Sequence, residues 1–386
     1  MKKLHVLKHV SILFLLSLAI CIFAQTAHAA QNKKSVLVYV GTYTNHGSKG
    51  IYAYDFDEAT GKLSLQGLAA ETESPSFLVL SSNQKFVYAV NETENFQGKT
   101  SGGVSAFSKE PNGYKLDLLN ELASRGADPA HLAVDKTGKY VLVANYTSGN
   151  VAVFPILKDG RLGEASAFIQ HKGSGVNHER QEGPHAHEIV MSPDNRYALI
   201  TDLGLDKIFL YPFDSTKGLL GEPHIVNTHP GAGPRHLAFS HDGRFVYAIN
   251  ELQSTIVVYS YSAKGDMKEL QTISSLPKDF AGKNTAGEIA LSSSGKFLYA
   301  SNRGNDTIAV FAVDSVKGTL QLIQFVPVQG KTPRDFVIDP SGIFLLAANQ
   351  DSGNIVTFRM DQKSGRLTAT GQEVQLSAPV CIQFVP

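Results

Sequence analysis

The stretch from Pro234 to Asn250, PRHLAFSHDGRFVYAIN, shows the unit that the chain repeats. A short apolar strand is followed by a turn, HDG, and then by a second apolar strand that ends in Asn. Similar stretches occupy 75–91, 129–145, 186–202, 286–302 and 333–349. A seventh copy is divided, because its first strand begins at Pro379 and its second strand, Val36–Gly41, lies near the N-terminus. The two halves can pair only if the ends of the chain meet, so the pattern predicts a closed ring.

The spacing of the copies identifies the kind of ring. Successive copies begin 46 to 57 residues apart, and repeats of about 40–50 residues with four strands each are typical of β-propeller blades. In the copy that starts at Pro234, four strands are predicted over 235–239, 245–249, 256–261 and 269–273. Val, Ile, Phe and Tyr dominate these strands, and Gly, Asp and Asn separate them. We therefore predict an all-β, seven-bladed β-propeller over residues 30–386, closed by strands from both termini.

The first 29 residues differ from the rest of the chain. Lys2, Lys3 and Lys8 precede an apolar run over 11–24, and Ala27–His28–Ala29 follows. A basic start, an apolar core and a small-x-small site are typical of a secretory signal peptide. The run is shorter than the roughly 20 residues of a membrane span. An uncleaved anchor and lipid attachment at Cys21 are the alternatives. The favoured prediction is export after cleavage near Ala29, to the periplasm or the medium, with no membrane association afterwards.

The charge and cysteine content of residues 30–386 limit the possible partners. Removing the first 29 residues leaves 32 basic and 35 acidic residues, a net charge of −3. Nothing in this balance favours binding to nucleic acid or to an anionic membrane. Cys381 would then be the single cysteine, which excludes an internal disulfide, and it is predicted to be a buried apolar residue. A closed propeller is expected to be a monomer.

Polar residues recur at two places in the repeat. Innermost strands begin where second strands end, so both places should face one mouth of the channel. One position after each start are Ser76, Ala130, His187, Arg235, Gly287, Arg334 and Val380, and two positions after it are Phe77, His131, Glu188, His236, Glu288, Asp335 and Cys381. After the second strands come Glu92, Tyr146, Leu203, Glu251, Arg303, Gln350 and, in the divided copy, Thr42. A solvated rim or salt bridges between blades would also explain such charges. Titratable groups gathered at a concave mouth nevertheless favour a functional site.

One connection between copies is unusually long. Residues 170–184 read QHKGSGVNHERQEGP and lead directly into HAHE. Loops of this length are uncommon unless they have a function. We predict that this loop lies at the mouth as a substrate loop or lid; a disordered insertion is the alternative.

Several segments resemble a known family. VYVGTYT, HERQEGPHAHE, GAGPRHLAFS and YAINE are similar to segments of the seven-bladed lactonase family, which includes bacterial propeller-type 6-phosphogluconolactonases and fungal carboxy-cis,cis-muconate cyclases. The resemblance covers residues 30–386. It implies a catalytic set of His187, Arg235, Glu251 and Arg303, with Arg334 as the alternative second arginine. The predicted substrate-binding residues are His131, His185, Glu188, His236, Glu288, Arg334, Asp335 and Arg180. The phosphogluconolactonases of central metabolism are cytoplasmic, so an exported relative is expected to use a different or unphosphorylated lactone.

These residue types suit lactone hydrolysis. The reaction needs a base that activates water, donors for the oxyanion and an acid for the leaving alkoxide. Arginines can hold an anion, and His187 or Glu251 can transfer the proton. The sequence contains no G-x-S-x-G nucleophile motif, so we predict direct attack by water on a small lactone, without a cofactor or a metal.

Three alternatives stay open at the sequence level. A divalent metal could be held by His131, His187, His236, Glu188, Glu288 and Asp335, but these lack tight ligand spacing. The same acid, base and anion-binding groups would also serve a muconate-type cycloisomerase. A non-enzymatic surface or binding protein would have similar propeller repeats, but it would not need the long loop or the polar rim.

Overall fold

A computed structural model describes residues 35–385, which form seven β-sheets of four or five strands and one two-stranded hairpin. The predicted signal peptide lies outside the described residues. We number the sheets as blades 1 to 7 by the order of their innermost strands. The innermost strands are Phe77–Leu80, Pro129–Val134, Ala186–Met191, Pro234–Phe239, Thr285–Leu291, Pro333–Ile338 and Pro379–Val385. The second strands are Phe86–Asn91, Tyr140–Asn145, Tyr197–Asp202, Phe245–Asn250, Phe297–Arg303, Phe344–Asn349 and Ser35–Thr42.

The outer half of each blade continues the antiparallel order. The third strands are Gly103–Lys109, Asn150–Pro155, Lys207–Asp214, Thr255–Tyr261, Thr307–Val313, Asn354–Met360 and Gly50–Asp57. The outermost strands are Leu116–Ala123, Ala167–Gln170, Leu219–Leu220 with His224–Asn227, Met267–Ser274, Leu320–Pro327, Leu367–Gln375 and Lys62–Glu71. A small hairpin, Asn95–Phe96 with Lys99–Thr100, extends blade 1, and a 3₁₀ turn covers Thr44–His46. Between residues 35 and 385, no helix is long and apolar enough to cross a membrane.

The ring closes as the divided repeat predicts. The innermost strand of every blade contacts that of the next, and Pro379–Val385 contacts Phe77–Leu80. Blade 7 combines both ends of the chain, because Ser35–Thr42 pairs antiparallel with Pro379–Val385. Strands shared between the termini fasten the first and last blades through backbone hydrogen bonds. The predicted all-β, seven-bladed propeller is confirmed, and the strand bounds predicted for blade 4 agree with the structure to within two residues.

The apolar core lies between the blades. Seven clusters of buried aliphatic and aromatic side chains are present, and each joins two neighbouring blades. The alternating apolar residues of the strands supply them, since successive side chains of a strand face opposite sides. Full burial of one such side chain stabilises a fold by about 1.5–3 kcal/mol. Packing between blades therefore holds each strand start in a fixed place around the channel.

Two local features aim side chains at one mouth. The innermost strands of blades 2, 3, 4, 5 and 6 begin with a register shift against their second strands, a β-bulge. Bulges redirect side chains, so neighbours such as Arg235 and His236 contact each other instead of facing opposite sides. The Asn that ends the second strand fastens the linker, since Asn145 Nδ2 donates to Ser124 O at 3.0 Å. The bulge accounts for the polar residues at the start of the innermost strand, and the bond to the linker accounts for the Asn at the end of the second strand.

Candidate active site

One end of the channel opens into a pocket of about 180 Å³. It lies where innermost strands begin and second strands end, at the mouth that the two rows of polar residues predict. The pocket is lined by Tyr43, Glu92, Ala130, Tyr146, Arg180, His187, Glu251, Arg303 and Arg334. All of them except Arg180 come from those two places in the repeat, and Arg180 comes from the long loop. The pocket therefore collects the polar groups of several blades around a small volume.

Blade 7 contributes Tyr43 to this pocket, not Thr42. Thr42 pairs with Pro379 in the same way that Asn145 pairs with Pro129. Thr42 therefore occupies the position of the Asn that ends the other second strands, and it is fully buried. The assignment of Thr42 to the mouth was wrong by one residue. The divided copy ends in Thr instead of Asn, so the sequence did not mark the last residue of its second strand.

Glu251 lies at the centre of an arginine cluster. Arg180 Nη2 donates to Glu251 Oε1 at 2.7 Å, and Arg303 Nη2 donates to Oε2 at 2.6 Å. Arg235 Nε lies 3.3 Å from Oε2. Burial opposes the charge of Glu251, but Arg303, Arg235 and Arg180 outweigh burial and lower its pKa to about 2. Glu251 is therefore ionised at neutral pH, where it can fix three guanidinium groups but is a poor proton acceptor.

A second wall combines Arg334, Glu92 and Tyr43. The hydroxyl of Tyr43 donates to Glu92 Oε1 at 2.7 Å, and Arg334 Nη2 lies 3.6 Å from the same oxygen. The guanidinium carbon of Arg334 lies 5.2 Å from the centre of the Tyr43 ring, within cation–π range. Burial raises the pKa of Tyr43, so its hydroxyl stays protonated as a donor. The repeat pattern predicts Glu92 as a rim residue but not Tyr43.

His187 projects into the pocket as an almost buried, neutral imidazole. Its side chain packs edge-on against Tyr146 and His236, with ring centres 5.6 Å and 5.1 Å away. Burial, and then the positive charge of Arg235, lower the pKa of His187 well below its usual value. Its Nδ1 has no hydrogen-bond partner within residues 35–385. An unprotonated imidazole that lines a pocket together with arginines can accept a proton from a water bound there.

Five predicted substrate-binding residues lie further along the channel, outside the pocket lining. With Phe77 and Cys381 they form what we call the inner ring: His131, Glu188, His236, Glu288 and Asp335. Glu188 Oε2 accepts a hydrogen bond from Leu237 N at 2.6 Å, and Asp335 Oδ2 accepts one from Ile382 N at 2.7 Å. Each donor belongs to the innermost strand of the next blade, whose channel-facing edge has no further strand to pair with. The inner ring thus satisfies backbone N–H groups that would otherwise be buried without partners.

Two other predicted residues lie behind the pocket wall. His185 stacks on Tyr146, with ring centres 4.6 Å apart, and its Nε2 lies 3.1 Å from Glu182 Oε1. Arg235 is only 2% exposed and lies beside Glu251 without lining the pocket. His185 therefore packs against Tyr146, and Arg235 lies against Glu251, both of which line the pocket.

The long loop is tied to blade 3 and delivers one side chain. Gln181 is fully buried, and its Nε2 donates to Leu203 O and to Asp206 Oδ1. At the start of the loop, His171 Nδ1 lies 2.6 Å from Asp202 Oδ2. Between these two anchors His178 and Glu179 are exposed, so Arg180 alone of the loop residues lines the pocket.

Several buried polar atoms at the site have no hydrogen-bond partner within the described part of the chain. They are Glu92 Oε2, His187 Nδ1, Arg235 Nε and Arg303 Nε. Buried polar groups in native proteins are nearly always paired, so such a concentration points to a place that water or a ligand completes. No group of three or more His, Cys, Asp or Glu side chains within residues 35–385 is arranged to hold a metal ion.

The fold and the pocket place this protein in the class of closed seven-bladed β-propellers with an arginine-rich pocket at one mouth. Comparison with known proteins identifies its family. Residues 37–384 match the family described as "Lactonase, 7-bladed beta-propeller". The chain is 38% identical over 348 residues to the 6-phosphogluconolactonase of Bacillus subtilis, covering 90% of this chain and 97% of the relative. It is 36% identical to the 6-phosphogluconolactonase of Formosa agariphila, covering 90% and 99%.

A solved structure agrees with this grouping. The periplasmic gluconolactonase of Pseudomonas aeruginosa superimposes with a TM-score of 0.86 at 36% identity, covering 92% of this chain and 99% of that one. The chain belongs to the seven-bladed β-propeller lactonase family, as the sequence motifs indicate.

Proposed function

We propose that the protein is an exported hydrolase that opens a sugar lactone of the aldonolactone type by direct attack of water. The observation that carries the proposal is that one pocket is lined both by His187, which is almost buried and neutral, and by arginines held by Glu251. A base for water and fixed donors for an oxyanion then lie in one small pocket. The names of the relatives support the same reaction.

The charge of the site supports an anionic substrate or product. Three guanidinium groups, of Arg180, Arg303 and Arg334, and two carboxylates, of Glu92 and Glu251, line the pocket. The lining therefore has an excess of one positive charge. Arginine binds carboxylate and phosphate through paired hydrogen bonds. The excess positive charge would stabilise the oxyanion and the aldonate product of any lactone. It would also attract the phosphate of a phosphorylated lactone.

In the proposed reaction His187 takes a proton from water as its oxygen attacks the lactone carbonyl carbon. The developing oxyanion is stabilised by the guanidinium groups of Arg303 and Arg334, which line the pocket. The ring C–O bond then breaks, and the alkoxide receives the proton from the imidazolium of His187. The product is a hydroxy acid, which releases one proton to solvent at neutral pH. An anionic substrate next to the arginines offsets part of the positive charge that lowers the pKa of His187, so binding improves the base.

Glu251 has a supporting role in this scheme. A carboxylate with a pKa of about 2 holds a proton too weakly to act as the general base at neutral pH. It holds Arg180 and Arg303 on opposite oxygens, which sets the spacing of the donors. These contacts favour His187 over Glu251 as the proposed general base.

A pH-stat assay of the purified protein tests the proposal. Glucono-δ-lactone, 6-phosphoglucono-δ-lactone and a muconate would each be added, with and without a chelator, and acid release compared with the spontaneous rate. We expect rapid opening of at least one aldonolactone, unaffected by chelation. Cycloisomerisation of muconate without lactone opening would favour the cyclase, and tight capture of a protein without any turnover would favour a binding protein. Either result would overturn the proposal.

Export is tested separately. We expect the protein recovered outside the cytoplasm to begin at residue 30, since the basic and apolar N-terminal pattern is typical of a cleaved signal. Intact Met1 on cytoplasmic protein would contradict this part.

A further inference from the structure

Resting on the proposed function, we infer that His236 and Glu288 of the inner ring are positioning residues: they hold Arg235, and through it the Glu251 cluster, in the geometry that the reaction needs. Neither side chain lines the pocket. Both are connected to it through a continuous line of hydrogen bonds and one ion pair.

The line begins at a buried carboxylate. Glu288 Oε2 lies 2.7 Å from His236 Nδ1, and Oε1 accepts a hydrogen bond from the backbone N–H of Ile289 at 3.0 Å. On the other side of the ring, His236 Nε2 lies 3.2 Å from Arg235 Nη1. Arg235 Nη1 also donates to Gly287 O at 2.9 Å. The guanidinium is thus held at one nitrogen by two acceptors, while its Nε faces Glu251 Oε2 at 3.3 Å.

These contacts fix the protonation of His236. A guanidinium can only donate, so His236 Nε2 must present its lone pair to Arg235. The ring proton is then on Nδ1, where it is donated to Glu288. A doubly protonated ring would place two cations 3.2 Å apart in a buried site. Burial, and then the charge of Arg235, lower the pKa of His236 well below its usual value, in agreement with the neutral form.

Burial raises the pKa of both Glu288 and its neighbour Asp335. Arg235 and the N–H of Ile289 favour the ionised form of Glu288, whose pKa is about 7. The charge of Glu288 adds to burial at Asp335 and raises its pKa to about 8, so Asp335 is the more readily protonated of the two. The ionised form is therefore favoured at Glu288, whose Oε2 lies next to His236 Nδ1.

Without the contacts to His236 and Gly287, Arg235 would be a buried cation whose guanidinium makes a polar contact only with Glu251 among the described residues. Its pKa is lowered to about 10, mainly by burial and then by Arg303 and Arg334. Repulsion by these two arginines favours any displacement of Arg235 that takes it away from the pocket. The acceptors His236 Nε2 and Gly287 O on one side and Glu251 Oε2 on the other hold the guanidinium in place against this repulsion. Because a shift of about 1 Å can lower a rate about 100-fold, these acceptors should affect turnover more than substrate binding.

Three variants test the inference through kinetics. We expect His236→Phe, which has the apolar ring that Phe77 provides in blade 1, to lower kcat about 100-fold with KM changed less than about threefold. His236→Gln keeps an acceptor for Arg235 and should recover at least a tenth of wild-type kcat. Cys381→Ala is the matched control, since Cys381 is also buried in the inner ring, and it should keep kcat within about twofold of wild type. A kcat of His236→Phe within about twofold of wild type, or equal losses in the Phe and Gln variants, would overturn the inference.

A measurement on the wild-type protein decides the point without any substrate. Imidazole ¹⁵N NMR at pH 7 should show His236 as the neutral tautomer protonated at Nδ1, and Glu288→Gln should change this signal. Protonation at Nε2, or a charged ring, would overturn the inference even if lactones are opened. If no lactone is opened, the proposed function fails, and the NMR result still decides how Arg235 is held.

Discussion

Arg180 Nη2 lies 2.7 Å from Glu251 Oε1, although the two residues are 71 positions apart in the chain. One comes from the long loop before blade 3 and the other from the end of the second strand of blade 4. Arg180 also donates to the hydroxyl of Tyr146 at 3.1 Å. The loop therefore completes a pocket that the blades form only in part.

This contact predicts how loss of Arg180 affects kinetics. In Arg180→Ala we expect KM to rise about 10- to 100-fold, since a hydrogen bond to a charged group contributes about 1.5–3 kcal/mol. The change in kcat should be smaller, because His187 and Arg303 stay in place. Thermal unfolding should be nearly unchanged, since the Arg180 side chain is 39% exposed. Arg244→Ala is the control: Arg244 is an exposed arginine paired with Asp242 in the turn that links the first two strands of blade 4. An unchanged KM in Arg180→Ala would contradict the assignment.

Glu251 should matter for stability as well as for turnover. Replacing it by Gln leaves three guanidinium groups without their shared anion, and breaking a buried ion pair costs about 3–5 kcal/mol. Denaturant unfolding at pH 7 measures this loss. The control is Glu121→Gln, which makes the same substitution on the outermost strand of blade 1. A loss no larger than that of Glu121→Gln would show that the cluster does not stabilise the fold.

The same carboxylate predicts the direction of a pH dependence. The pKa of Glu251 is lowered from 4.5 to about 2 on folding, so its stabilising effect is present above pH 4.5 and is lost as the pH falls towards 2. The shift corresponds to about 3 kcal/mol. The difference in unfolding free energy between wild type and Glu251→Gln should therefore shrink as the pH falls from 4.5 to 2. A difference that stays constant over this range would contradict the assigned pKa.

The acid limb of activity should lie at an unusually low pH. Because burial and Arg235 lower the pKa of His187 well below 6.5, the base stays unprotonated from neutral to mildly acidic pH. We expect kcat/KM to be flat between pH 6 and 7.5 and to fall only below that interval. Initial rates corrected for spontaneous lactone opening measure this profile. An acid limb centred at 6.5 would indicate an ordinary exposed histidine as the base.

Ring closure can be tested at Gly41. A Cβ on Gly41 would lie 2.2 Å from the backbone oxygen of Pro75, where blade 7 meets blade 1. Gly41→Ala should destabilise the protein by about 1–3 kcal/mol or more, because backbone cannot move aside cheaply. Gly183→Ala is the matched control, since nothing lies within 4 Å of the added atom. Equal melting temperatures for the two variants would contradict the close contact between these blades.

The fold could be predicted from the sequence because the repeated pattern fixes the number, length and order of the strands. Strand length and turn residues recur along the chain, and a terminal Asn or Asp recurs in every undivided copy; the divided copy joining Pro379 to the N-terminal strand reveals the closure. The mouth could be predicted for the same reason. The sequence could not predict which of the polar positions face the pocket. The bulges that turn Arg235 and His236 towards each other leave no pattern in the sequence.

The roles of the charged residues depend on distances between blades. Sequence spacing places His187 and Glu251 at the mouth but gives no reason to prefer one of them as the general base. The proposal of His187 as the base rests on the contacts that Glu251 makes with Arg180 and Arg303. Tyr43 was missed because Thr42 replaces the Asn that would have fixed the register.

The most direct measurement is the initial rate of aldonolactone opening by wild type and by His187→Gln, at equal protein concentration and with matching circular dichroism spectra. We expect kcat to fall about 10²- to 10⁴-fold in the variant, the usual contribution of a general base, while the melting temperature is preserved. A His187→Gln protein that opens the lactone at the wild-type rate would contradict the central claim.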